Sequence, residues 1–242
     1  MSVARWLEID RQTSFHLNGS GRIERENDPD HSAGPRFWFA GCEDGNVFAV
    51  GSHVPDDLAS RLHDLAVTEP PFLYPGIPRH LIGYLAVFAN EPPVRHSQEV
   101  IYELPHSLAI GDGALLIGSD SEEGRELMQS WTRDGPPQGL VELGFREEAD
   151  FWAPWCVANV DGEIASIAFA ARLTESGAEL GLVTARSFRG RGLAAAATAG
   201  WSRLPSLSSR TLFYSTSREN LSSQRVAARL GLRLRGVSFR IE

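Results

Sequence analysis

Seven residues, Arg186-Ser-Phe-Arg-Gly-Arg-Gly192, set two glycines among three guanidinium groups immediately ahead of an alanine run. That combination suits an anion. The first turn of a helix leaves backbone N–H groups without intrahelical partners, and the macrodipole adds partial positive charge there. Gly190 and Gly192 carry no side chain, so a diphosphate can come against the main chain. Arg189 and Arg191 add full charges at the rim. No Gly-Lys-Ser/Thr follows, which excludes a Walker A loop, and Ala195 stands where the third glycine of a GxGxxG fingerprint belongs. Alone, such a loop is more often a tight strand-to-helix connection that binds nothing.

The elements that must position the loop follow from pattern. Trp155 to Val160 and Glu163 to Arg172 are apolar runs joined by Asp161-Gly162, a hairpin signal. Ala178 to Thr184 reads as the strand that enters the loop, and Leu193 to about Arg203 as the helix that leaves it. A strand over Arg210 to Ser217, a helix over Asn220 to Leu230 ended by Gly231, and a last extended segment over Leu232 to Ile241 complete this region. Upstream, Arg36 to Ala40 and Asn46 to Val50 predict two strands around a Gly41–Gly45 turn. Helices are expected over Pro55 to Val67 and His80 to Ala89, and a strand over Val100 to Leu104. Ser107 to Gly118 reads as a hairpin turning at Gly111-Asp-Gly113, and Ser121 as the cap of a helix ended by Asp134-Gly-Pro-Pro. Residues 1–105, 106–150 and 151–242 separate as an N-terminal α+β region, a bridging segment and the loop-bearing region.

Arg189-Gly-Arg-Gly-Leu-Ala194 matches the Arg/Gln-x-x-Gly-x-Gly/Ala signature of the GNAT acetyltransferases. Asn220 to Leu232, with its Leu230-Gly231 ending, resembles that family's second signature, in the right order and at the right distance. The resemblance runs from about Trp155 to Arg235. It implies an α/β fold built on an α+β mixed sheet, with the GNAT fold in residues 151–242. The N-terminal region is then either an acceptor-side wall or a degenerate GNAT-like half. It also implies acetyl-CoA as co-substrate: Arg189, Gly190, Arg191, Gly192, Leu193 and Ala194 on the diphosphate, Leu182, Val183 and Thr184 along the pantetheine arm, and Asn220 as a further contact. An oxyanion donor is expected from a backbone N–H near Val183.

Glu179 resembles the catalytic glutamate of some members in position, with an exposed carboxylate that merely attracts a cation as the competing account; Glu175 is a more distant alternative. The tyrosine that many members place seven residues after the asparagine is Ala227 here. Ser223 and Tyr214 are the remaining candidates for protonating the departing thiolate, although a hydroxyl bonded back to its own helix explains Ser223 equally well.

A net charge of −8 argues against a nucleic-acid partner, and an RNA-binding reading of Arg186 to Arg191 lacks an aromatic platform. Cys42 and Cys156 form no metal or disulfide pattern, and the seven histidines are scattered, so no metal is expected. No segment reads as a signal peptide or a membrane span, which predicts a cytoplasmic protein. The expected activity is acetyl-CoA-dependent N-acetylation of a primary amine, on a small molecule or a protein N-terminus. A non-catalytic acyl-CoA-binding regulatory protein is the alternative, and homodimer formation stays open.

Overall fold

The computed structural model describes residues 2–89, 94–109, 111 and 113–242. In chain order its elements are α1 (Val3–Ser14), β1 (Phe15–Leu17), β2 (Ile23–Glu26), β3 (Phe37–Cys42), β4 (Gly45–Val50), α2 (Asp56–Val67), α3 (Leu81–Val87) and β5 (His96–Glu103). There follow β6 (Leu115–Gly118), α4 (Glu122–Asp134), α5 (Gln138–Glu142), β7 (Trp155–Val160), β8 (Glu163–Leu173), β9 (Gly177–Thr184), α6 (Leu193–Ser202), β10 (Thr211–Ser217), α7 (Leu221–Arg229) and β11 (Arg233–Ile241). They fall into two compact units, neither continuous in sequence: Met1–Glu103 with Ser215–Leu221 and Arg233–Glu242, and Leu104–Tyr214 with Ser222–Leu232.

In the first unit the strands run β4-β3-β11-β5, antiparallel throughout. β11 lies between β3 (Val237 opposite Gly41, Ile241 opposite Phe37) and β5, so strands of the N-terminal half complete the last segment of the sequence. All six residues of β3 are buried, because both faces of the sheet are covered. Phe37 and Phe39 pack with Leu62 of α2 and Tyr84 of α3. On the other side, a β-carbon on Gly236 of β11 would meet the Leu7 side chain of α1 at 2.9 Å. No helix is expected from the sequence before Leu17, since Trp6 and Leu7 are too few to show a period; Ser2 Oγ accepts the Arg5 N–H and starts α1.

In the second unit the order is β10-β9-β8-β7-β6, with β10 and β9 parallel and the other pairs antiparallel. Asp161 and Gly162 both take positive φ, 53° and 88°, which closes the expected β7–β8 hairpin with a two-residue turn. Among the described residues of the hairpin expected over Ser107 to Gly118, the strand is Leu115–Gly118, and it pairs with β7 (Leu115 opposite Asn159, Gly118 opposite Cys156); Ile110 and Asp112 of the expected hairpin lie outside the described residues. α6 is buried almost all round, and its alanines and Gly200 let it close on the sheet until Gly200 touches the Cys156 side chain. The opposite sheet face carries a stack of Trp131, Phe151 and Trp155, with ring centroids 5.8 and 4.6 Å apart, joined by Phe145.

Candidate active site

β9 is the backbone of the site. Its antiparallel ladder with β8 runs from Ser166–Thr184 back to Ala170–Leu180. The Ala185 N–H donates to the Ala165 carbonyl at 2.9 Å, so residues 185, 183 and 181 direct their main-chain groups at β8. Leu182 and Thr184 therefore turn theirs to the other edge. On that edge β10 runs parallel through only three registered pairs, ending at Phe213 opposite Glu179. Leu180–Thr184 continue without a registered β10 partner, and their burial falls from buried to half-buried along the strand. The N–H expected near Val183 is consequently that of Leu182 or Thr184, while the Val183 side chain packs against the aromatic cluster. Ser166, fully buried and not anticipated from sequence, bonds the Val183 carbonyl at 2.9 Å and the Thr184 hydroxyl at 2.8 Å, which holds the end of the strand in place.

After Thr184 the chain makes one short 3-10 turn, Arg186–Phe188, then passes through Arg189, Gly190 at φ 78° and Gly192 at φ 85° into α6. Both left-handed positions favour glycine on backbone grounds. Gly192 is the N-cap of α6 and supplies no side-chain cap, so the amides of the first turn depend on an outside partner. Leu193 is buried beside Val160 and Ala165 and anchors the helix start, so its main chain, not its side chain, faces the entrance. Arg189 and Arg191 are exposed; Arg189 Nε donates to the Thr184 carbonyl at 3.3 Å, and the Arg191 guanidinium lies 5.1 Å from the Phe188 ring centroid.

A third cation, invisible in the sequence, comes from α7. A β-carbon on Gly192 would sit 2.8 Å from the Arg229 guanidinium carbon. Among the described residues no carboxylate pairs with Arg189, Arg191 or Arg229. Three unpaired guanidinium groups beside the positive end of a helix form an arrangement that an oligophosphate neutralises.

Glu179 is buried, at 7% exposure, and its Oε2 is ion-paired with Arg172 Nη1 of β8, the residue opposite it in the ladder. It is not the exposed strand carboxylate of the competing account; the bulge between Ala170 and Arg172 brings the guanidinium alongside. On the same face, Phe169 lies across Gly181, where any β-carbon would enter the ring. Glu175 sits in the turn before β9 and is exposed.

The two candidate proton donors meet. Tyr214, 2% exposed on β10, places its hydroxyl 2.8 Å from Ser223 Oγ and donates to the Ser223 carbonyl at 3.1 Å. Ala227, one turn later on α7, is fully buried. Asn220 directly precedes α7 and belongs to Ser215–Leu221 of the first unit, where its N–H donates to the Ser217 carbonyl at 3.0 Å.

The sequence profile of the Acetyltransferase (GNAT) domain matches residues 114–233. Over those residues the chain is similar to the GNAT acetyltransferases. The GNAT match begins upstream of Trp155 and takes in β6, α4 and α5. No curated protein matches the sequence. Solved structures similar to this chain include a putative GNAT acetyltransferase from Novosphingobium aromaticivorans (18% identity, 62% of this chain and 67% of that one, TM-score 0.41). Another is a GCN5-related N-acetyltransferase from Kribbella flavida (16% identity, 67% and 63%, TM-score 0.45). A third is a GCN5-related N-acetyltransferase-like protein from Streptococcus suis (15% identity, 86% and 85%, TM-score 0.43).

Proposed function

We infer that the protein transfers an acetyl group from acetyl-CoA directly to a primary amine, carried by a small molecule or a protein N-terminus. The carrying observation is the conjunction on β9: its pairing with β10 stops at Glu179, its next five residues present an open main-chain edge, and that edge leads into an uncapped, cation-ringed helix start. The residues present fit the co-substrate. The first-turn amides of α6 with Arg189, Arg191 and Arg229 would hold the diphosphate, and the open edge of Leu182 and Thr184 would pair with the amides of the pantetheine arm. Acetyl-CoA, when bound, supplies the acyl group as an activated thioester.

The chain's own groups then divide the work. The outward N–H of Leu182 or Thr184 is placed to polarise a carbonyl oxygen. Glu179 has one oxygen committed to Arg172, so its other oxygen is the one available to draw or deprotonate an ammonium group. Ser223 Oγ can return a proton to a leaving thiolate, with Tyr214 hydrogen-bonded behind it. Direct transfer is favoured over an acyl-enzyme because burial pushes the Cys156 thiol up to about 12, leaving it protonated and unreactive, and burial raises that of Cys42 as well.

Ala227, buried where many relatives place a tyrosine, favours the second reading, a protein that binds acyl-CoA without turnover. Calorimetry with acetyl-CoA followed by thiol release across a panel of amines separates the two. Binding with turnover supports the transferase; binding without turnover on any amine supports the second; no binding overturns both. The chain contains no lysine, all 23 Lys+Arg positions being arginine, so lysine self-acetylation cannot mimic turnover.

A further inference from the structure

Away from the GNAT site, the first unit has an unassigned feature at the free end of its sheet. β4 is the terminal strand there. The Gly51 N–H donates to the Arg36 carbonyl at 2.8 Å, so by alternation residues 49 and 47 face β3, while Asn46, Phe48 and Val50 direct their main-chain groups outward. Arg11 Nη1 reaches the Phe48 carbonyl at 3.2 Å from that outer side, as this direction requires. At the far end the edge already accepts an extended chain: Gly51 forms a parallel bridge with Ile23, and the Ser52 N–H donates to the Ile23 carbonyl at 2.7 Å.

Between that bridge and the start of the strand, the edge floors an open cleft of 720 Å³, walled by α1 and α2 and closed by the turn at Ser20–Arg22. Its size is that of a ligand site, commonly ~300–1,000 Å³. Five residues of extended chain span about 17 Å, close to the length of β4 itself.

The cleft also has a sign. Arg11 and Arg22 are sunk, with side chains 20% and 21% exposed, and each is tied to a carboxylate, Glu8 and Asp56. Asp56 and Asp64 stand at the mouth, 97% and 83% exposed. An arriving ligand therefore meets carboxylates first, and the guanidinium groups are already neutralised, which argues against an anionic ligand. The outward main-chain groups of Asn46 and Phe48 call for alternating N–H and carbonyl partners, which a peptide main chain supplies.

We propose that this cleft binds an extended basic peptide segment, which adds to the outer edge of β4 through main-chain hydrogen bonds and meets Asp64 at the mouth with a cationic side chain. The site is independent of the transferase reading. Its test uses the full chain and the capped peptide acetyl-Arg-Val-Arg-Val-Arg-amide, which offers no primary amine to the GNAT centre. Hydrogen exchange at the Phe48 and Val50 amides should slow at least tenfold at millimolar peptide. That protection should vanish when every peptide amide is N-methylated, and should not appear with acetyl-Glu-Val-Glu-Val-Glu-amide. Asp64→Asn, a surface change, should weaken binding roughly two- to fivefold. Unchanged exchange at Phe48 and Val50, or equal protection by the N-methylated or the acidic peptide, overturns the proposal.

Discussion

Gly192 carries two constraints at once, a left-handed backbone and the Arg229 guanidinium where a β-carbon would stand, so a substitution there tests the proposed cofactor site. Gly192→Trp should weaken acetyl-CoA binding by more than about thirtyfold in calorimetry, a blocked helix entrance costing at least one charge-assisted contact, while far-ultraviolet circular dichroism stays close to the parent. Arg229→Ala, which removes no side-chain hydrogen bond or ion pair among the described residues, should cost about fivefold in affinity, less at high salt. Ser223→Ala should lower kcat by roughly tenfold, below the usual general-acid contribution of about a hundredfold or more because a thiolate already leaves well, with acetyl-CoA affinity unchanged. A Ser223→Ala enzyme with full kcat would remove the proton-donor role. Arg189, Gly190 and Gly192 were legible because their types and spacing are local. Arg229 was not, since only the fold returns α7 to the start of α6. The Glu179–Arg172 pair was hidden for a related reason: a one-residue bulge in β8 decides which side chain stands opposite Glu179.

At the scale of elements, the strand–loop–helix passage from β9 to α6 and the Asp161-Gly162 hairpin were readable from turn chemistry and apolar runs. α1 was not, because Trp6 and Leu7 are too few to show a period, and the short strands β1 and β2 were not, because the pairing that orders them is tertiary. β6 shows the same limit, its partner being chosen by the open edge of β7 and not by the glycines nearer in sequence. The close approach of α6 to β7 has a pH consequence. Cys156 releases its proton near pH 9 when unfolded but only at about 12 in the fold, so between those values the unfolded chain binds fewer protons. Its contribution is whole below pH 9 and lost as pH rises toward 12, a swing of roughly 4 kcal/mol. Urea denaturation at pH 8 and at pH 10.5 should show a shallower alkaline loss for Cys156→Ala than for the parent.

For the whole molecule, the decisive feature is that neither compact unit is a continuous stretch of chain. The sequence divides by texture near residues 105 and 150, whereas β11 packs with strands more than a hundred residues earlier; no local pattern encodes that return. Deleting Arg233–Glu242 removes the strand between β3 and β5 and bares two apolar edges. The shortened protein should aggregate in light scattering and lose the cooperative unfolding of the parent.

Insertion of β11 into the middle of that sheet also sets an order of events during synthesis. While the ribosome is still translating the GNAT domain, β3 and β5 have been made but lack the neighbour that joins them, so the earlier-made half waits for the later one. Maturation of the nascent protein is therefore expected to finish only after Ile241 clears the exit tunnel, and a chaperone that shields strand edges has its longest period of use on this chain before then.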